Sequence, residues 1–200
     1  MKLNNYKLVF VAVCLIGVLL IATPALAGFI RLPSGEQFSE LYLLGPNQMA
    51  ENYPFSIAID QNYSLYAGVT NQMGSSQNYI LQVKLLNQTD LLPNETAAAP
   101  SPIQPLYEYR FSVLNKQNWS SRLTFSITSA NVSNNQSTIQ SFEINGLNLN
   151  VEKSAAWNST ISEFPYRLLF ELWVFNPQSG SFEFNNRFVD LQLNYTQTTG

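Results

Sequence analysis

Eight asparagines in this chain stand two residues ahead of a serine or threonine with no proline between: Asn62, Asn87, Asn94, Asn118, Asn131, Asn135, Asn158 and Asn194. That spacing is the acceptor pattern for N-linked glycosylation, which attaches sugar to surface loops and faces of exported proteins. With 22 Asn and 31 Ser plus Thr among 200 residues, chance predicts between three and four such triplets. The excess, and its confinement to the part of the chain beyond residue 60, point to an exported and glycosylated surface.

Other chemistry is harder to find. Glycoside hydrolysis needs two carboxylates held across the scissile bond, and Glu108, Glu143, Glu163, Glu171, Glu183 and Asp190 are the candidates. Their spacing pairs none of them. Glu171 lies in a dense apolar run, where a salt bridge to Arg167 or Arg110 would account for it. Asp60-Gln61-Asn62-Tyr63-Ser64 offers oxygens at alternate positions, like the start of a calcium loop. Leu65 replaces the required glycine and Asn71 the closing glutamate, so a β-turn with an Asx cap is the simpler reading. Trp119 and Trp157 adjoin Asn118 and Asn158 and could pack on the protein's own glycans, while Trp173 reads as core.

The chain has no histidine, the commonest general base and metal ligand. Its single cysteine, Cys14, lies in an apolar leader behind Val13, which argues against a lipid-modified cysteine and against thiol or Cys-zinc chemistry. Neither a P-loop nor a dinucleotide fingerprint is present. The expectation is no catalytic residue, no cofactor and no metal site. Net charge is −3, without a basic run, so nucleic acid is not an expected partner. Only 12% of residues are charged, about half the usual share. Asn, Gln, Ser and Thr replace them, making up 67 of 200 residues.

Lys2 and Lys7 precede Leu8–Ile30, 23 residues without a charge. This is long enough to span a bilayer, and Ala25-Leu26-Ala27 is a signal-peptidase pattern that would be cut before Gly28. Residues 1–30 are therefore a signal peptide or a signal-anchor transmembrane helix. In the first case the protein is secreted. In the second it is single-pass in the cell membrane through residues 8–30, with its C-terminal domain outside.

Beyond Arg31 the pattern has period two, as in antiparallel sheets with one wet face. Phe55, Ile57 and Ile59; Leu65, Ala67 and Val69; Tyr79 to Leu85; Tyr109, Phe111 and Val113; Leu123, Phe125 and Ile127; and Val189, Leu191 and Leu193 each alternate with polar or small residues. Asn145-Gly146 flips the apolar parity, as a tight hairpin or bulge would. Tyr166–Phe175 is apolar on both parities and should be central or covered. Pro93–Pro105 reads as a long exposed loop inside one domain, and Val151–Phe164 as a crossing loop with a short helical turn. Eight or nine short strands give an all-β fold over 31–200, an immunoglobulin-like antiparallel β-sandwich preceded by one N-terminal hydrophobic helix.

The run Glu40-Leu41-Tyr42-Leu43-Leu44-Gly45-Pro46-Asn47, then Ala50 and Tyr53-Pro54, resembles an archaeal membrane-protein domain family of unknown function. Asn71, Gly74 and Tyr79, ahead of Leu81-Gln82-Val83, are similar to that family's hairpin and following strand, so the resemblance covers roughly 36–83. It differs in having one span rather than several, and Met73 where an acidic residue is usual. The resemblance implies an extracytoplasmic Ig-like domain and no activity. The expected role is a non-enzymatic interaction or structural module of the cell envelope with a protein partner there. The alternative is a solute- or ligand-binding module associated with a membrane transporter.

Overall fold

The computed structural model describes residues 6–7, 9–18 and 36–196. The chain divides into two units, Met1–Gln37 and Phe38–Gly200. In the first, residues 6–7 and 9–18 are helical, and Val9, Phe10, Val13, Leu15, Ile16 and Val18 are exposed. Among the described residues, no helix is long and apolar enough to cross a membrane. The expected span over 8–30 extends beyond the described residues, and the Ala25-Leu26-Ala27 pattern lies wholly outside them.

The second unit contains β1 (Ser39–Leu44), β2 (Ser56–Ile57), β3 (Tyr63–Asn71), β4 (Gln77–Asn87), β5 (Tyr107–Val113), β6 (Asn118–Ser133), β7 (Gln136–Ile144), β8 (Leu147–Ala156), β9 (Phe164–Asn176) and β10 (Ser181–Tyr195). They form two five-stranded sheets, in the orders β1-β3-β6-β7-β8 and β2-β10-β9-β4-β5. Every pairing is antiparallel except the short parallel contact of β2 with β10. The apolar parity of each strand faces the other sheet: Leu65, Ala67 and Val69 with Leu123, Phe125 and Ile127 on one side, Leu81 and Val83 with Leu168, Phe170 and Leu172 on the other. Fully burying one such Leu or Phe contributes about 1.5–3 kcal/mol, so this alternation drives the two sheets together. The order β4-β9-β10 is that of the C, F and G strands of an immunoglobulin sheet. The first sheet instead grows outward as a β6-β7-β8 meander.

Three local expectations change. The strand read over Phe55–Ile59 shrinks to β2 and one bridge from Ile59 to Ile127. Val151–Phe164 is not a crossing loop throughout, because β8 continues to Ala156. A register shift opposite Ile139/Ser141, with Glu152 at φ 43, breaks the alternation there and hides the strand from a period-two reading. The segment after Asn71 is not a hairpin, since β3 and β4 belong to different sheets. Buried Asn71 shapes that arch: its Nδ2 donates to Ser75 O and Val113 O, both at 2.8 Å, and its Oδ1 accepts from Met73 N at 2.9 Å. Asn145-Gly146, by contrast, makes the hairpin expected of it. Its φ values of 49° and 81° suit a type I′ turn, and Ile144 pairs with Leu147.

Candidate functional site

β9 lies between β10 and β4, so its alternate side chains either enter the core or line the outer face of the second sheet. Leu168, Phe170 and Leu172 point inward, and Leu169, Glu171 and Trp173 point outward. One half of that outer face is roofed by the segment between β4 and β5. Glu171 Oε2 holds Lys84 Nζ at 2.6 Å, and the two side chains are 0% and 3% exposed. Glu171 Oε1 accepts Ser101 N–H at 2.7 Å, and Lys84 Nζ also donates to Ser101 O at 2.8 Å. A backbone amide in an irregular segment has no ladder partner, and here the ion pair satisfies both backbone polar groups of Ser101.

The expected partners of Glu171 are engaged elsewhere: Arg167 with Asp190 at 2.9 Å and Arg110 with Glu108 at 2.8 Å. Arg167 is four residues along the same strand, about 13 Å away at the backbone. Lys84 pairs in register with Leu169, which places it diagonally beside Glu171 on the same face. The Pro-rich loop is correspondingly not simply exposed. Pro93 and Ser101 are buried, while Asn94 to Ala98 form an exposed turn closed by the Asn94–Ala99 bridge.

Past Glu171 the outer face becomes aromatic. Trp173 packs on Phe184 with centroids 5.9 Å apart, Phe175 meets Phe182 edge-on at 5.4 Å, and Arg110 Cζ lies 5.8 Å from the Phe182 ring. All five are at the surface, the four rings half-buried. Trp173 is thus on the outer face and not in the inter-sheet core, because it pairs with Ile80 while core-facing Tyr79 pairs with Val174. Its Nε1 is buried without a hydrogen-bond partner. A bulge between Phe184 and Arg187 brings Asn186 Nδ2 to Glu95 O at 3.0 Å, joining this half to the exposed turn of the roof.

The remaining carboxylates are dispersed. Glu108 also accepts from Gln82 at 2.8 Å, and Asn158 and Glu163 are bridged through their backbones. Glu143 pairs in register with Asn148. Glu183 accepts from Ser179 at 2.6 Å and Asn176 at 2.9 Å, bonds that hold its carboxyl below the usual range. Glu108 and Glu171 sit two strands apart, about 10 Å at the backbone, yet Glu171 is fully buried beneath the roof. Asp60 has φ 58 and donates its N–H to Ile127 O at 2.9 Å, forming a turn into β3. Among the described residues no three His, Cys, Asp or Glu side chains come together as metal ligands would.

The sequons separate by environment. Asn62, Asn94, Asn118, Asn131, Asn135 and Asn158 are exposed, and Asn87 and Asn194 are half-buried. Trp119 stacks on Phe111 at 3.7 Å with planes 6° apart, and Trp157, 42% exposed, meets Phe164 edge-on at 5.0 Å. Trp157, Phe164, Asn135, Ser162 and Thr196 line an open recess of about 470 Å³ at the end holding the β8–β9 loop. A second recess of about 260 Å³ lies beside Asn158, Arg167 and Asn194.

Reading the sequence missed the Lys84–Ser101–Glu171 arrangement. The available signal was Lys84, the only charge in apolar β4, and Glu171, the only anion in apolar β9, since neither type is buried without a partner.

A family model described as a domain of unknown function (DUF1616) matches residues 32–145. No curated protein matches the chain in sequence. Among solved structures, the CARDB domain of a Pyrococcus furiosus protein in complex with di-metal ions is similar at a TM-score of 0.38 and 10% identity, over 80% of this chain and 90% of that one. The C-terminal domain of wzt is similar at 0.37 and 10%, over 82% and 81%. A β-glucosidase from Listeria innocua in complex with glucose is similar at 0.37 and 10%, over 80% of this chain and 16% of that one. These likenesses say nothing of what this chain binds.

Proposed function

The chain belongs to the DUF1616 family of domains of unknown function, and from that premise we propose that it is a non-enzymatic interaction module of an archaeal cell envelope. It is held outside the cell through residues 8–30, or released by cleavage before Gly28, and it carries N-linked glycan. The observation that supports an interaction role is the aromatic half of the second sheet's outer face. Trp173, Phe175, Phe182 and Phe184 lie together there with Arg110 beside them. Aromatic residues and Arg are the types enriched where proteins dock. The partner is a protein of the same envelope. A photo-crosslinking residue at Phe182 in intact cells should capture one defined protein, and Phe184→Ser should abolish capture with the unfolding midpoint little changed. Capture that survives Phe184→Ser and Trp173→Ser together would remove this face from the reading.

The recess at Trp157 supports a second reading, a ligand-binding module serving a membrane transporter. Trp157→Ala would then abolish transport of a solute in cells while leaving the Phe182 crosslink intact. Transport unchanged in Trp157→Ala, with the crosslink lost in Phe184→Ser, favours the first reading.

A further inference from the structure

Resting on the reading of the chain as exported and glycosylated, we propose that the folded protein takes glycan at Asn94, Asn118, Asn131 and Asn158, and not at Asn87, Asn135 or Asn194. In attachment, the amide Nδ2 attacks the anomeric carbon of a lipid-phosphate-linked sugar. The bond from that carbon to the phosphate oxygen breaks with its electron pair, the carbon–Nδ2 bond forms, and one amide proton passes to base. A site on a folded chain therefore needs a free Nδ2 and a reachable hydroxyl two residues on.

Four sequons meet both conditions. Asn118 with Ser120 and Asn131 with Ser133 are exposed pairs on β6. In a strand, residues i and i+2 point to the same face, so each amide and its hydroxyl project together from the outer face of the first sheet. Asn94 with Thr96 and Asn158 with Thr160 are exposed on turns. There Asn94 Oδ1 accepts Ala97 N at 3.0 Å and Asn158 Oδ1 accepts Thr160 N at 2.9 Å. Both bonds engage the carbonyl oxygen of the amide and not its Nδ2.

Three sequons fail. Asn87 Nδ2 donates to Ser154 O at 2.7 Å, and its Oδ1 accepts from Thr89 N, Thr89 Oγ1 and Asp90 N at 2.9–3.0 Å. The nucleophilic Nδ2 is thus tied to the neighbouring β8, and the Thr89 hydroxyl, though exposed, is spent on Asn87 Oδ1. Asn135 is exposed, but its Ser137 is fully buried and bonded to Tyr166 OH at 2.7 Å. Asn194 is half-buried within β10, its N–H on Phe55 O at 2.6 Å, with Tyr195 buried and Thr196 Oγ1 near Ile57 O. Asn62 stands between the groups: the amide is exposed and the Ser64 hydroxyl accepts Arg122 at 3.1 Å.

Glycopeptide mass analysis of the protein from its own membranes or medium tests this directly. Occupancy at the four open sequons with Asn87, Asn135 and Asn194 vacant is the expected result. Each of Asn94→Gln, Asn118→Gln, Asn131→Gln and Asn158→Gln should then remove one glycan's mass, and Asn135→Gln none. Glycan at Asn87, Asn135 or Asn194, or a vacant site among the four, overturns the assignment while leaving export and glycosylation standing. No glycan at any sequon overturns the glycosylated reading itself.

Discussion

Lys84 and Glu171 meet at 2.6 Å with neither side chain reaching solvent, and both turn their remaining hydrogen bonds on a single residue, Ser101. A pair from two adjacent strands thereby clamps the segment between β4 and β5 across the sheet that contains them.

Removing one member of a buried pair leaves an unpaired charge and costs about 3–5 kcal/mol, whereas replacing both with apolar groups is often neutral. Lys84→Met alone should lower stability by about that amount in urea unfolding. Lys84→Met with Glu171→Leu should recover most of it, and Ser101 should become accessible to protease in both. A single variant as stable as the parent would show that the clamp does not form in solution.

Asn71 ties the arch after β3 to the end of β5 through two bonds from one amide nitrogen. Val113 is buried while Ser75 is exposed, and an unsatisfied buried acceptor costs about 1–3 kcal/mol, so Asn71→Ala should destabilise by about that amount. Amide exchange should speed up on both sides of the arch, near Ser75 and near Val113. Faster exchange on one side alone would contradict a shared anchor.

Gly68 pairs in register with Tyr42, whose ring lies where a Cβ on Gly68 would be. Overpacking of this kind costs about 1–3 kcal/mol. Gly68→Ala should destabilise within that range. In a Tyr42→Ala background the same substitution should cost little, and a double-mutant cycle measures the coupling. Additive costs would mean that the cost at Gly68 does not come from the Tyr42 ring.

Burial raises the phenol pKa of Tyr79, Tyr109, Tyr166 and Tyr195 above 10.0, and at the first three it outweighs the hydrogen bonds that lower it. Below pH 10 the phenols are protonated whether the chain is folded or not, and stability is at its full value. Above it the unfolded chain loses phenolic protons that the folded chain keeps, so stability falls as pH rises toward the folded pKa values. Alkaline titration should show phenolate absorbance from these four groups appearing together with loss of the β-sheet circular dichroism. Their ionisation well before unfolding would show that they are open to solvent.

The strands were legible where one residue in two is apolar. Leu123, Phe125 and Ile127 declare the buried face of β6, and Leu65, Ala67 and Val69 that of β3. Asn145-Gly146 declared its turn because few other residue pairs tolerate two positive φ values. The second half of β8 was illegible, since a bulge at Glu152 interrupts the alternation by which a strand is recognised. Trp173 was misplaced for a related reason. β9 is apolar on both faces, and composition cannot tell a core face from a covered outer one.

The eight sequons, the missing histidine and the two-residue period belong to the sequence, because each depends only on residue types and their local spacing. Which amide is free to react, and which carboxylate is bound to which cation, depend on contacts across 17 to 87 positions, from Lys84 to Ser101 and from Lys84 to Glu171. Such contacts follow from strand register and from the packing of the roof over the sheet. Only the tertiary structure decided them, since register and packing are fixed by the burial of the whole apolar set at once.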